Sequence, residues 1–297
     1  MERHVVDFDH HSAEHAADPA ADYRRIRETA PITWTESYDG FWIASRYAES
    51  THVARTHAVF SSAKWVDEDG VLQGGLGLPP NRGLQLIPDE VDPPEWEGYR
   101  RLLSLAFSPG ASVALKENVE TTTHEVIDAF IENGHADFVD DLTAPIPALI
   151  TCDMLGVPRA DWQIYAEVFH DSIATPPDDP HFPETVAAFK ILNERLESDL
   201  AERRANPGDD FFSSLTTAEV NGHLLSDREI IDIMLQLLGG GVDTTTSLLS
   251  SILHWLHVDR AMRQRLIDNP DLLPSAREEF LRYFCPVQST ARTVTTE

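Results

Sequence analysis

Residues 235–249 read LQLLGGGVDTTTSLL, and this run decides the fold. It sets three glycines, Gly239 to Gly241, and three threonines, Thr244 to Thr246, inside a strongly apolar, helix-like segment. An interior glycine costs about 1 kcal/mol relative to alanine, so three forfeit roughly 3 kcal/mol if the helix runs on. The apolar pattern nevertheless persists on both sides. Met234, Gly241 and Leu248 lie seven apart and share a face, which Ile230, Leu237, Leu238, Ile252 and Leu253 widen into a stripe. The spacing predicts one helix from about Asp227 to about Leu256, opened by a capping box of Ser226 and Glu229. Gly241 then lacks a side chain in mid-stripe, with the hydroxyls of Thr244 and Thr245 beside it. Missing bulk there signals close approach by a flat ligand, by another backbone, or by small residues of a second helix. The run is no dinucleotide fingerprint, since both the GxGxxG spacing and a preceding strand are missing.

Outward from this helix the chain is mainly helical with a minor sheet. ADYRRIRETA reads as a short helix, and PITWTES and FWIASR as strands joined by the turn SYDG. YAESTHVARTHAVF reads as helix. Residues 66–94 are rich in glycine and proline and predict a long loop, of the kind that is usually functional or mobile. From Glu95 the apolar spacing is helical in EWEGYRRLLSLAF, ALKENVETTTHEVIDAFIENG, LTAPIPALITCDMLGV, WQIYAEVFHDSI and ETVAAFKILNERLESDLAERRA. PSAREEFLRYF begins another helix with Pro274 in its first turn, and PVQSTARTVTTE has strand-like composition. No composition break divides the chain, which reads as one domain over residues 1–297.

Lys and Arg number 23 against 50 Asp and Glu, a net charge of −27, which disfavours nucleic acid and anionic membranes as partners. At 42% hydrophobic residues the chain can bury a substantial core. Two cysteines, Cys152 and Cys285, exclude a disulfide scaffold and a multi-cysteine metal site. The polar N-terminus lacks a signal-peptide core, and no run of apolar residues is long enough to span a bilayer. The expectation is a soluble, cytoplasmic protein.

Gly240-Gly241-Val242-Asp243-Thr244-Thr245 resembles the distal-helix signature [AG]-G-x-[DE]-T-[TS] of the cytochrome P-450 family, the haem-thiolate monooxygenases. Glu279-Phe280-Leu281-Arg282 is similar to the family's E-x-x-R, and Pro286-Val287 and Arg292 follow as in the family's next segment. DPPEWEGYRRLLSLAFSP resembles its haem-edge helix, with Trp96 and Arg100 at W-x-x-x-R. Many bacterial members carry histidine where Trp96 stands. The resemblance implies a P-450-like helical fold, a haem b cofactor and insertion of one oxygen atom from O2 into an apolar small molecule. Electrons would come from a separate ferredoxin- or flavodoxin-type donor.

By the same resemblance Asp243 and Thr244 serve oxygen activation and proton delivery, and Gly240, Gly241 and Thr245 border the haem. Trp96, Arg100 and Arg292 would hold its propionates, since an indole N–H and guanidinium groups are all donors. Glu279 and Arg282, three apart, form a structural ion pair. Residues 66–94 and the segment around Ala174–Pro183 would line the substrate entrance.

The family's iron ligand is a cysteine in a loop F-x-x-G-x-x-x-C-x-G well after E-x-x-R, and that loop is missing from these residues. Cys152 lies within an apolar helix and Cys285 just after a helix C-terminus, where the dipole opposes a thiolate, so neither substitutes. The chain thus reads as the N-terminal three-quarters of a P-450 domain that is inactive by itself and binds haem weakly or not at all. Two other classes stay open. One is a non-catalytic helical protein that lost haem. The other is a zinc hydrolase on His11 and His15, which fit H-x-x-E-H in a polar tail.

Overall fold

The computed structural model describes residues 3–79, 85–176 and 179–296. Thirteen α-helices are present among them: α1 (Ala13–Ala17), α2 (Pro19–Thr29), α3 (Tyr47–Arg55), α4 (Glu95–Ser104), α5 (Pro109–Ala114), α6 (Lys116–Phe130), α7 (Pro145–Leu155), α8 (Trp162–Ala174), α9 (Phe182–Ala205), α10 (Phe211–Leu215), α11 (Asp227–Val258), α12 (Arg260–Asp268) and α13 (Leu273–Phe284). The described residues form two compact units. One comprises residues 1–85, 89–96 and 290–297, and the other residues 86–88 and 97–289.

The first unit holds most of the strands. β1 (Ile32–Thr35) and β2 (Phe41–Ala44) pair antiparallel, with Trp34 opposite Trp42. Their turn follows the expected SYDG signal. Tyr38, Asp39 and Gly40 all adopt positive φ, and a Cβ on Gly40 would collide with the Trp34 ring. Val6, Phe8 and Ile26 form a small core under these strands, with Tyr23, Phe41 and Ile43 packed on it. The helix expected to reach Phe60 stops at Arg55. Phe60–Ser61 instead forms β3, paired with Thr293–Val294 (β8), so the strand-like ending is a strand. Within the expected long loop, β4 (Lys64–Val66) and β5 (Leu72–Gly74) make a hairpin, and residues 80–84 lie outside the described residues.

A buried ion pair fixes that loop. Lys64 Nζ lies 2.9 Å from Glu90 Oε2, with the two side chains only 1% and 2% exposed. Glu90 Oε1 also accepts the Leu76 N–H at 3.0 Å, and a side chain on Gly75 would strike this carboxylate.

The second unit is organised by α11, which runs unbroken for 32 residues through the three glycines. Its start is the expected capping box, with Ser226 and Glu229 bonded reciprocally. Ile230, Ile231, Ile233, Met234, Leu235 and Leu238 are buried, and α7, α8 and α9 pack against α11. Leu192, Leu196 and Leu200 recur every four residues and form one buried face of α9. Val242 is the last buried residue of α11. Beyond it α12 buries only Leu266, and α13 buries nothing. The hairpin β6 (Glu219–Val220) with β7 (His223–Leu224) leads into α11. No helix among the described residues is long and apolar enough to cross a membrane.

Candidate functional site

The three glycines of α11 have different surroundings. A Cβ on Gly239 would lie 2.8 Å from two ring atoms of Phe169 on α8. A Cβ on Gly241 would lie 2.6 Å from Oγ1 and 3.1 Å from Cγ2 of Thr151 on α7. At Gly240 the nearest atom is the flexible Gln236 Nε2, at 3.9 Å, and the residue is exposed. Two glycines thus permit close helix packing, and only Gly240 presents bare backbone on an open side. The flat-ligand reading of the glycine at 241 accordingly shifts to 240, because the Thr151 side chain already fills the space at Gly241.

Thr244 lies one turn beyond Gly240, and its hydroxyl donates to the Gly240 carbonyl at 2.7 Å. Residues four apart share a face, so the bare backbone and this hydroxyl are neighbours on one strip. Thr245 is exposed a further 100° around the helix. Asp243 points elsewhere. Its side chain is 20% exposed, and Oδ1 lies 3.4 Å from Nδ1 of His170 on α8, an imidazole 68% exposed to solvent. The off-stripe acid is therefore one contact from a solvent-facing imidazole.

Trp96 and Arg100 sit one turn apart on α4, Trp96 half-buried and Arg100 exposed. Near Arg100 the helix is held by its neighbours. Gly98 packs so tightly on Asn221 and Val220 that a Cβ would overlap both. The Tyr99 hydroxyl donates to Glu229 Oε1 at 2.5 Å. Burial alone would raise the Glu229 pKa, but hydrogen bonds from Ser226, Tyr99 and His223 outweigh it and hold it down at about 2. Arg100 has no ion-pair partner among the described residues, which leaves its guanidinium available to an anion.

In the first unit Arg292 is half-buried between two anchors. The Ala291 N–H donates to the Leu76 carbonyl at 2.8 Å, and Thr295 N–H to the Val59 carbonyl at 2.9 Å. Its Nη1 donates to Thr290 Oγ1 at 3.0 Å and to the Ala291 carbonyl at 2.7 Å. Desolvation lowers its pKa, with Asp92 and Asp89 opposing. The residue is thus more than a strand-edge charge.

Neither cysteine lies in a ligand-facing position. Cys152 is buried in α7, and burial, with Asp153 adding, pushes its thiol up to about 12. Cys285 is exposed and its thiol donates to the Val287 carbonyl at 3.2 Å. Glu279 and Arg282 form the expected pair, two parallel bonds of 2.7 Å, entirely exposed on α13. Mutual attraction lowers the carboxyl pKa and raises that of the guanidinium.

His11 and His15 do not make a metal centre. The His15 ring is buried between Phe8 and Tyr23 and bonds Asp22 at 3.0 Å. Among the described residues no group of three His, Cys, Asp or Glu side chains could hold a metal ion. Thr151, Phe169, His170 and the Lys64–Glu90 pair carry no local signal in the sequence, since each acts through a partner distant in the chain.

The "Cytochrome P450" family model matches residues 80–279. Erythromycin C-12 hydroxylase of Saccharopolyspora erythraea is 34% identical over 275 residues, covering 91% of this chain and 66% of that protein. Steroid C26-monooxygenase of Mycobacterium tuberculosis is 31% identical over 280 residues, covering 93% and 67%. The crystal structure of CYP109E1 from Bacillus megaterium in complex with testosterone aligns with a TM-score of 0.80 at 30% identity, covering 95% of this chain and 72% of that one. The chain spans about two thirds of the length of the curated relatives it matches, less than the three-quarters expected from its motifs. With that family match, these alignments and the Gly240–Thr244 strip on α11, the chain belongs to the cytochrome P450 family.

Proposed function

We propose that these residues, as a single P450-like domain, form the oxygen-activating wall of a haem-dependent monooxygenase. In its whole length this enzyme would insert one oxygen atom from O2 into an apolar small molecule. The observation that carries the reading is the strip on α11 where Gly240 bares backbone and the Thr244 hydroxyl follows one turn on.

These residues fit one side of a haem b. Gly240 lets a flat ring approach the helix, with Gly241 and Thr245 flanking it. Arg100, without an ionic partner among the described residues, suits a propionate, and for Trp96 and Arg292 that role rests on the family resemblance alone. Neither cysteine suits the iron's thiolate ligand, because Cys152 is buried with its thiol pushed up to about 12 and Cys285 is engaged with its own turn. When bound, the haem supplies the iron chemistry of oxygen transfer.

The roles of this chain's own groups are hydrogen bonding and proton movement. Thr244 Oγ1 holds its proton against the Gly240 carbonyl and can turn it toward the open side. Asp243 takes protons from solvent through its contact with His170 and passes them toward Thr244. A ferredoxin- or flavodoxin-type donor in the cytoplasm would supply the electrons. Residues 80–84 and 177–178 of the expected substrate entrance lie outside the described residues. An apolar substrate agrees with relatives named for erythromycin and steroids.

In the whole-length protein the reduced, carbon-monoxide-bound form should show the red-shifted band of thiolate-ligated haem, and its absence would reject the reading. Thr244→Ala should divert electrons from product to peroxide. Unchanged coupling would remove the threonine from the mechanism.

A further inference from the structure

We infer that Gln236 determines specificity at the site proposed above, and that its amide N–H reads a ketone oxygen on an otherwise apolar substrate. The inference rests on the monooxygenase reading and adds a substrate class to it.

From Ile230 to Val242 every side chain of α11 is apolar or absent except Asp232 and Gln236. Asp232 is accounted for by Arg228 one turn before it, whose Nε donates to Oδ2 at 2.9 Å. Gln236 is half-buried, with Leu235 and Leu238 beside it fully buried. Taking an amide partly out of water costs free energy that a leucine there would avoid, and the helix gains nothing from the exchange.

The direction of the amide supplies a reason for it. Among the described residues, Gln236 Nε2 is the one atom outside the helix backbone within 4 Å of the Cβ position of Gly240, at 3.9 Å. From the other end of the strip, Thr244 Oγ1 donates to the Gly240 carbonyl at 2.7 Å. Gln236, Gly240 and Thr244 follow at intervals of four residues, about 6 Å of helix each. An amide and a hydroxyl thus converge on the one glycine that bares its backbone. The hydroxyl has its part in proton movement, and the amide has none.

Ligand pockets are mostly apolar, with a few placed polar groups that fix orientation. A molecule lying over Gly240 meets such a group in this amide. Two N–H donors and an acceptor oxygen leave it capacity for a substrate beside any other bond it makes. The atom overlooking Gly240 is the nitrogen, which only donates, so its counterpart is an acceptor. A carboxylate is disfavoured by the net charge of −27, which leaves a neutral carbonyl.

The test measures dissociation constants by calorimetry for the whole-length protein with two probes of matching shape, 4-phenylcyclohexanone and phenylcyclohexane. Parent, Gln236→Leu and Gln236→Met are compared, both replacements being good helix formers, with thermal midpoints as the check on folding. The ratio of the two constants is the readout, because a general loosening of the site weakens both probes alike. In each variant the ketone should lose roughly 10-fold relative to the hydrocarbon, as expected for one hydrogen bond. An unchanged ratio, or a parent that binds no ketone, would overturn the inference. A shift for 4-phenylcyclohexanol without one for the ketone would overturn the donor role and turn the amide oxygen toward the site. Calorimetry reads neither oxygen transfer nor the carbon-monoxide band, so this inference and the monooxygenase reading fail separately.

Discussion

Gly240→Ala and Gly241→Ala are the same substitution on adjacent residues of one helix, and only the first should stabilise the protein. Alanine in a helix interior gains about 1 kcal/mol over glycine. At Gly240 the new methyl meets nothing closer than a flexible amide 3.9 Å away, so the gain should appear nearly whole. At Gly241 it would lie 2.6 Å and 3.1 Å from two atoms of Thr151. Threonine is β-branched and stiff within a helix, so it cannot swing aside freely. Overpacking of this kind costs about 1–3 kcal/mol, which cancels or reverses the gain. The two variants should therefore differ by about 1–3 kcal/mol.

Thr151→Ala removes both clashing atoms and leaves Cβ at an ordinary 3.5 Å. In that background Gly241→Ala should recover the gain of about 1 kcal/mol. The assay is urea unfolding of the four-member cycle by far-ultraviolet circular dichroism, with slopes compared to confirm a common reference state. If Gly241→Ala stabilises the parent as much as Gly240→Ala does, Thr151 does not fill the space and the packing account is wrong.

Removing one partner of the buried Lys64–Glu90 pair, by Lys64→Met, should cost about 3–5 kcal/mol in urea unfolding, because the carboxylate stays buried after losing its counter-charge. A loss below about 1 kcal/mol, typical of a surface pair, would place the pair in water. Tyr99→Phe removes a hydrogen bond to a carboxylate and should destabilise by roughly 1–2 kcal/mol at neutral pH. Glu229 titrates at about 2 in the folded protein against 4.5 for the free group. Its contribution is thus complete above about pH 4.5 and lost as pH falls toward 2, and the Tyr99→Phe deficit should shrink over that window. A deficit independent of pH would show that Tyr99 acts by packing alone. Asp243→Asn in the whole-length enzyme should slow turnover by about 10²-fold or more, as expected for loss of a proton-transfer group. An unchanged rate would remove Asp243 from the relay.

Much of the helical scaffold was legible because its signals are local. Ser226 and Glu229 announce the start of α11, and the apolar repeat carries it through the glycines to Val258. The same locality explains the misses. Short α5, α10 and α12 span too few turns to show a period, and β3 exists only because Thr293 and Val294 return to pair with it.

By itself the sequence determined the helical class, the long helix and the family motifs, since each depends on residues within a few turns of one another. Only the tertiary structure decided what each glycine is for. Phe169 and Thr151 reach Gly239 and Gly241 from helices distant in the chain, and close packing is a property of neighbours in space. Gly240 stays open because no described element packs over it, and no local pattern can encode that.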